Sequence, residues 1–311
     1  MWSGLESVGV IFLIFAAGYF LHIKRIWPDG TPGGLSSVVV KLAAPCLAIT
    51  SITEGYDREM LARSLILLAI AALHIIILLV LGKLSSRALK LSSGKRTIYE
   101  VSFTFSNVIF IGLPINQIVF GDVGVPFLFA YYIVILACFW SFGVAQIAAA
   151  APTPGSPSGI RIKNIMNPGF VGVLIGYALV QIGVGLPSVL DTALGYLANL
   201  TVPLSLLIIG ANLTIFAKGI PRVTKDEVMI MVAKFVISPL VMLGLLKLFG
   251  ITGMPFYVFL LSSTMPCHMQ ASILAQHYGV EPAYASKLVG LSTLLSIITI
   301  PCYVALIHHM M

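Results

Sequence analysis

From residue 6 to residue 307 the chain is a succession of apolar windows about twenty residues long, joined by short loops that carry most of its charge. A hydrocarbon core about 30 Å thick takes about 20 residues of helix, and lipid offers no partner to an open backbone N–H or C=O. Such a chain folds into spanning helices. Only 9% of its residues are charged and 59% are apolar, whereas a soluble domain has about a quarter charged. The stretch from Val8 to Leu21 has no preceding basic region and no small-residue cleavage site, so it reads as a first span that is retained.

Windows fall near 6–24, 34–53, 62–83, 98–120, 124–148, 167–186, 188–211, 227–248, 255–276 and 282–307. The expected fold is therefore an all-α polytopic membrane protein with ten transmembrane helices. Basic loops (Lys24/Arg25, the run from Lys83 to Arg96, Arg161/Lys163, and Lys218/Arg222/Lys225) alternate with acidic ones (Glu54/Asp57/Glu59, Asp122, Asp191). The positive-inside rule then puts the basic loops in the cytoplasm and both termini outside it, in a multi-pass protein of the cell (inner or plasma) membrane. The net charge of +7 is spread over these loops and forms no nucleic-acid face. Cys46, Cys138, Cys267 and Cys302 all lie in apolar windows, so neither a disulfide framework nor a metal site is expected.

The segment from Ala150 to Ser158, rich in Pro, Ser and Gly, divides the windows five and five. Five spans per half force opposite orientations, so the halves are expected to be inverted repeats: residues 1–149, a cytoplasmic linker at 150–163, and 164–311. Pro45 and Pro203 recur 158 residues apart, as do Gly112-Leu113-Pro114 and Gln270-Ala271-Ser272. The fourth window, with Asn107 and Gly112-Leu113-Pro114, and the ninth, with Pro266, Cys267, His268 and Gln270, read as broken crossover helices. Paired broken spans mark the binding site of a secondary transporter.

Half-helices that begin at such breaks present free N–H groups and positive dipole ends, which suit a carboxylate. Asn107, Gln270 and the backbone around Gly112 and Pro266 are the expected binding groups, with Ser106, Thr264 and His268 nearby. The bland alternative is a pair of proline kinks. The ionisable residues within spans are Lys41, His74, Lys234 and His268, with no carboxylate near a span centre. That surplus fits an anionic substrate, although Lys41 and Lys234 lie about seven residues from a cytoplasmic helix end and are placed to snorkel. A free imidazole titrates in the range that suits a coupling proton, which makes His268 a candidate to carry one.

At these residues the chain resembles the auxin efflux carrier family, which includes plant auxin carriers and bacterial malate and malonate permeases. The motifs are Asn107 to Pro114 (NVIFIGLP), Thr264-Met265-Pro266 followed by Ala271 to Gly279 (ASILAQHYG), Asn167-Pro168, Lys234 with Pro239, and Ser292 to Ser296 leading to Thr299-Ile300-Pro301. The resemblance implies an elevator-type carrier, a homodimer, with spans 1, 2, 6 and 7 as scaffold and spans 3–5 and 8–10 as the moving domain. It also implies a substrate site drawn from Asn107, Gly112, Leu113, Pro114, Pro266, His268, Gln270 and Ala271. Glu59 and Arg63 match in sign an Asp and Lys that support substrate in the plant carriers; an ordinary surface pair is the alternative. Where the plant carriers have a second proline this chain has Ala271, bacterial relatives commonly have Asn where it has Gln270, and His268 stands where the family is usually small. The long regulatory loop of some plant members is missing.

The expected function is secondary transport of small organic anions, malate- or malonate-like or aryl carboxylates, with no cofactor. A sodium-coupled bile-acid-type symporter shares the ten-span plan, and a membrane sensor that binds the anion without moving it fits the same residues. No nucleotide-binding motif, HExxH, GxSxG or paired membrane carboxylate is present, which argues against direct ATP use and against an enzyme.

Overall fold

The computed structural model describes residues 4–28, 30–55, 58–151, 168–216 and 222–311. The linker expected at 150–163 lies almost wholly outside the described residues, as do the side chains of Glu59 and Arg63. Among the described residues the chain is all helix apart from one isolated β-bridge.

We number the helices α1 (Gly4–Ile23), α2 (Thr31–Gly55), α3 (Arg58–Ala88), α4 (Ser93–Thr104), α5 (Val108–Phe120), α6 (Asp122–Ala149), α7 (Pro168–Ile182), α8 (Ser188–Asn212), α9 (Lys225–Leu248), α10 (Met254–Ser263), α11 (Met269–Tyr278) and α12 (Pro282–Met310). Among the described residues, six helices are long and apolar enough to cross a membrane: α2, α3 from Leu65, α6, α8, α9 and α12. The protein is thus a polytopic membrane protein.

Three of the prolines inside these helices share a mark; Pro203 and Pro301 do not, and a fourth wide turn, Phe139–Gly143, precedes no proline. Wide π-helical turns at Val39–Ala43, Val108–Gly112 and Ala233–Ile237 each end two residues before a proline, Pro45, Pro114 and Pro239. A proline lacks its N–H and its ring crowds the carbonyl four residues back. The widened turn carries that carbonyl aside without ending the helix. In α9 the carbonyl left without its ordinary donor belongs to Phe235, and Tyr303 of α12 donates its hydroxyl there at 2.6 Å.

This corrects one expectation. The break in the fourth window lies at 105–107, not at Gly112-Leu113-Pro114, which instead continue the helix. Pro114 is carried in the first turn of an α-helical stretch (Leu113–Phe120), where its missing N–H is tolerated. The ninth window does break around its proline: Thr264 to His268 separate α10 from α11.

Four helices pack in two reciprocal pairs. α1 lies on the second half of α8, and α7 lies on the second half of α2. The approach is backbone to backbone. A Cβ on Gly18 would overlap the Leu207 carbonyl, and one on Gly210 the Phe15 carbonyl. A Cβ on Gly172 would fall 2.7 Å from the Pro45 carbonyl oxygen. Small residues are the usual means of close helix contact in lipid, where no hydrophobic drive separates helix from solvent. The other packing centres on α3, which contacts α4, α6 and α9, on α6 against α10, and on α11 against α12. One end of that group is tied by charges: Lys95 pairs with Asp226 at 2.9 Å, Tyr284 donates to Asp226 at 2.6 Å, and Lys287 pairs with Glu227 at 2.8 Å.

Candidate functional site

The two breaks meet. Phe105, the C-cap of α4, is extended (φ −92°, ψ 136°), and so is His268 before α11 (φ −66°, ψ 120°). Between them Ser106 and Cys267 form an antiparallel β-bridge. Asn107 N–H donates to the Pro266 carbonyl at 2.8 Å, and His268 N–H donates to the Phe105 carbonyl at 3.2 Å. Cys267 N–H is taken by the Ser292 hydroxyl at 3.1 Å. Backbone that would otherwise be orphaned in a buried, water-poor position is thereby paired.

Four helix ends converge on this bridge: α4 and α10 finish there, and α5 and α11 start there. Asn107 caps the turn that opens α5, its Oδ1 accepting from Phe110 N–H at 3.3 Å. That leaves Asn107 Nδ2 as a buried donor without a hydrogen-bond partner. α11 starts with no side-chain cap. Both ring nitrogens of His268 and the Oε1 of Gln270 likewise lack a partner in hydrogen-bond geometry, and the Lys234 ammonium, the Gln270 side chain and the Ser106 backbone are the polar groups near the imidazole. Phe139 holds the His268 ring edge-on at 4.4 Å between centroids. A buried polar group without a partner costs about 1–3 kcal/mol. At this crossing of helix N-termini the donors among them, Asn107 Nδ2 and the ring nitrogen of His268 that carries a proton, are groups an incoming anion would satisfy; Gln270 Oε1 is an acceptor and needs a donor instead.

Lys234, in the wide turn of α9, is fully buried. Its Nζ donates to the Phe105 carbonyl at 2.8 Å and to Ser106 Oγ at 3.1 Å. It therefore does not snorkel to the helix end, whereas Lys41 is exposed on α2. His74 is structural in its bonding: Nε2 faces the Ser238 carbonyl at 3.1 Å and Nδ1 the Tyr131 hydroxyl at 3.2 Å. Ser238 in turn donates to the Ser263 carbonyl, the last of α10, at 2.7 Å.

The remaining expected residues stand around the crossing in different ways. Gly112 admits Met265, since a Cβ there would lie 3.2 Å from Met265 Cγ. Leu113, Pro114, Pro266 and Ala271 are buried packing. None of the eight expected substrate residues lines the neighbouring cavity of about 360 Å³, but Ile111 and Met269, in the first turns of α5 and α11, do. Its polar lining is Ser36, Asn212, Ser272, Ser286 and Thr293. Ser272 and Ser286 are hydrogen-bonded to each other at 2.8 Å. The sequence reading missed these groups, although Ser272 and Thr293 lie inside the quoted motifs. It also missed Asn116, whose Nδ2 bridges the Gly112 carbonyl at 2.7 Å and Ser262 Oγ at 3.4 Å.

Comparison with known proteins places the chain among membrane transporters. The family described as membrane transport protein matches residues 3–153 and 158–304. An uncharacterized transporter of Methanothermobacter thermautotrophicus is 25% identical over 299 residues, 96% of each chain. A Rhizobium meliloti protein named "Putative malonate transporter" is 23% identical over 312 residues, covering 95% of this chain and 92% of that one. An uncharacterized transporter of Methanocaldococcus jannaschii is 23% identical over 314 residues, covering 95% and 96%. With its family match running almost end to end, the chain belongs to the membrane transport protein family, that of the auxin efflux carriers its motifs resemble.

Proposed function

We propose that this protein is a secondary active transporter of small organic anions, binding a substrate carboxylate at the crossing of the two broken helices. The observation that carries the reading is the pair of buried side chains there with a donor left unpaired, Asn107 through Nδ2 and His268 through its ring N–H. Asn107 Nδ2 and the protonated imidazole nitrogen would donate to the carboxylate, with the N-terminal ends of α5 and α11 adding the favourable dipole. The Rhizobium relative's name suggests malonate as the first substrate to try. Aryl carboxylates are the second class, by the resemblance to auxin carriers.

The mechanism we propose is an elevator. The reciprocal pairs α1 with α8 and α7 with α2 would be the fixed scaffold of two inverted five-span repeats, assembled as a dimer in the cell membrane with both termini outside. α3 to α6 and α9 to α12 would carry the crossing across it. What supports this is the glycine-mediated backbone contact that closes each of the two scaffold pairs, and the cavity lying between scaffold helices α2 and α8 and the first turns of α5 and α11. The cavity would be the substrate's path on the side of the basic loops.

The test is a thermal-stability screen of the purified protein against malonate, malate and indole-type carboxylates, followed by counterflow in proteoliposomes. A ligand that binds the folded state raises apparent stability by mass action. At least one carboxylate should raise the unfolding midpoint and exchange across the bilayer. Stabilisation without counterflow would make the protein a sensor, and no response to any carboxylate would refute the anion reading.

A further inference from the structure

The C-terminal end of a half-helix carries the negative dipole pole and free carbonyls, and in carriers with broken helices such ends take the coupling cation. In this protein the end of α4 already holds a cation. The Lys234 ammonium lies against the Phe105 carbonyl and Ser106 Oγ at 2.8 and 3.1 Å. Both are neutral oxygens of the kind a hard metal ion would recruit. Among the described residues no carboxylate pairs with Lys234; Asp226 and Glu227 of the same helix are engaged by Lys95 and Lys287 at its far end. The end of α10 is served by a second attached donor, the Ser238 hydroxyl on the Ser263 carbonyl at 2.7 Å. The Ser238 carbonyl faces His74 Nε2 in its turn.

We infer that the Lys234 ammonium is a resident cation, standing where a sodium ion would bind, so that the crossing assembles without a metal ion and is insensitive to sodium. A fixed positive charge also gives a bound anion a balancing partner inside the membrane, where an isolated charge is costly. That last consequence rests on the carboxylate site proposed above; the cation role does not. Because the ammonium is tethered to α9, it travels with the crossing and is never exchanged.

The test uses no substrate, so its failure is distinguishable from failure of the carboxylate reading. The unfolding midpoint of the wild type is measured in sodium, potassium and choline chloride at equal ionic strength, and should be the same in all three. Lys234→Met, similar in length but uncharged, should lower the midpoint, while Lys234→Arg should recover most of the loss. In Lys234→Ala, n-propylammonium replaces the missing part of the side chain and should raise the midpoint by a few degrees; 1-propanol and choline should not. A wild-type midpoint that rises specifically with sodium would overturn the inference, as would a Lys234→Met protein as stable as the wild type. If the alanine variant does not fold, the sodium series and the Met and Arg pair decide the matter alone.

Discussion

The backbone N–H of Asn107 lies 2.8 Å from the carbonyl oxygen of Pro266, joining two breaks that stand far apart in sequence. This contact and its companion from His268 to Phe105 hold four helix ends at one place, and what those ends can bind follows from which of their groups are already satisfied.

His268 should trade stability against binding. Two unpaired ring nitrogens in a buried position are a cost to the folded state. His268→Phe keeps an aromatic ring against Phe139 and removes both nitrogens. We expect the unfolding midpoint to hold or rise while carboxylate affinity falls by roughly 10- to 100-fold, the equivalent of one hydrogen bond to a charged group. Unchanged affinity would show that the imidazole does not touch substrate.

The Tyr303 hydroxyl and Pro239 should be coupled. Tyr303→Phe removes the donor to the Phe235 carbonyl and should destabilise by about 1 kcal/mol. With Pro239→Ala the chain regains an N–H that can serve that carbonyl, so the Tyr303→Phe cost should shrink. A double-mutant cycle on thermal midpoints measures the difference; strict additivity would mean that the hydroxyl does not compensate for the proline.

The glycine contact of α1 with α8 should tolerate no side chain. Gly210→Leu drives a side chain into the Phe15 backbone and should cost at least about 1–3 kcal/mol, the usual penalty of overpacking. Gly244→Ala, in open space on α9, should instead be neutral or stabilising by about 0.4–1 kcal/mol. Equal midpoints for the two variants would deny the backbone contact its structural role.

Much of this was legible in the sequence because lipid restricts the choices. Window length and low charge forced helices, and Pro266 marked one break because the break contains it. The other break holds neither proline nor glycine: Asn107 pointed to it, but the conspicuous Gly112-Leu113-Pro114 run drew attention several residues downstream. A π-helical turn precedes Pro114 and the helix continues through it. Lys41 and Lys234 looked alike because both lie the same distance from a helix end. Only packing reveals which helix face looks inward, and it buries Lys234 against the crossing while leaving Lys41 exposed. Of the polar groups of the cavity Ser272 and Thr293 stood in motifs and Ser36 and Ser286 did not, and their convergence from α2, α11 and α12 is a property of the fold.

The most direct test of the central claim is malonate binding and counterflow by Asn107→Ala and Gln270→Ala beside the wild type, with other carboxylates substituted if the screen favours them. Each variant should remain folded; Asn107→Ala, which removes a donor to the carboxylate, should lose affinity by roughly 10- to 100-fold, the worth of a hydrogen bond to a charged group, and Gln270→Ala, which removes the side chain facing the His268 imidazole, should lose affinity less steeply, with counterflow falling accordingly. If both variants bind and exchange the carboxylate as the wild type does, the substrate does not bind at the crossing.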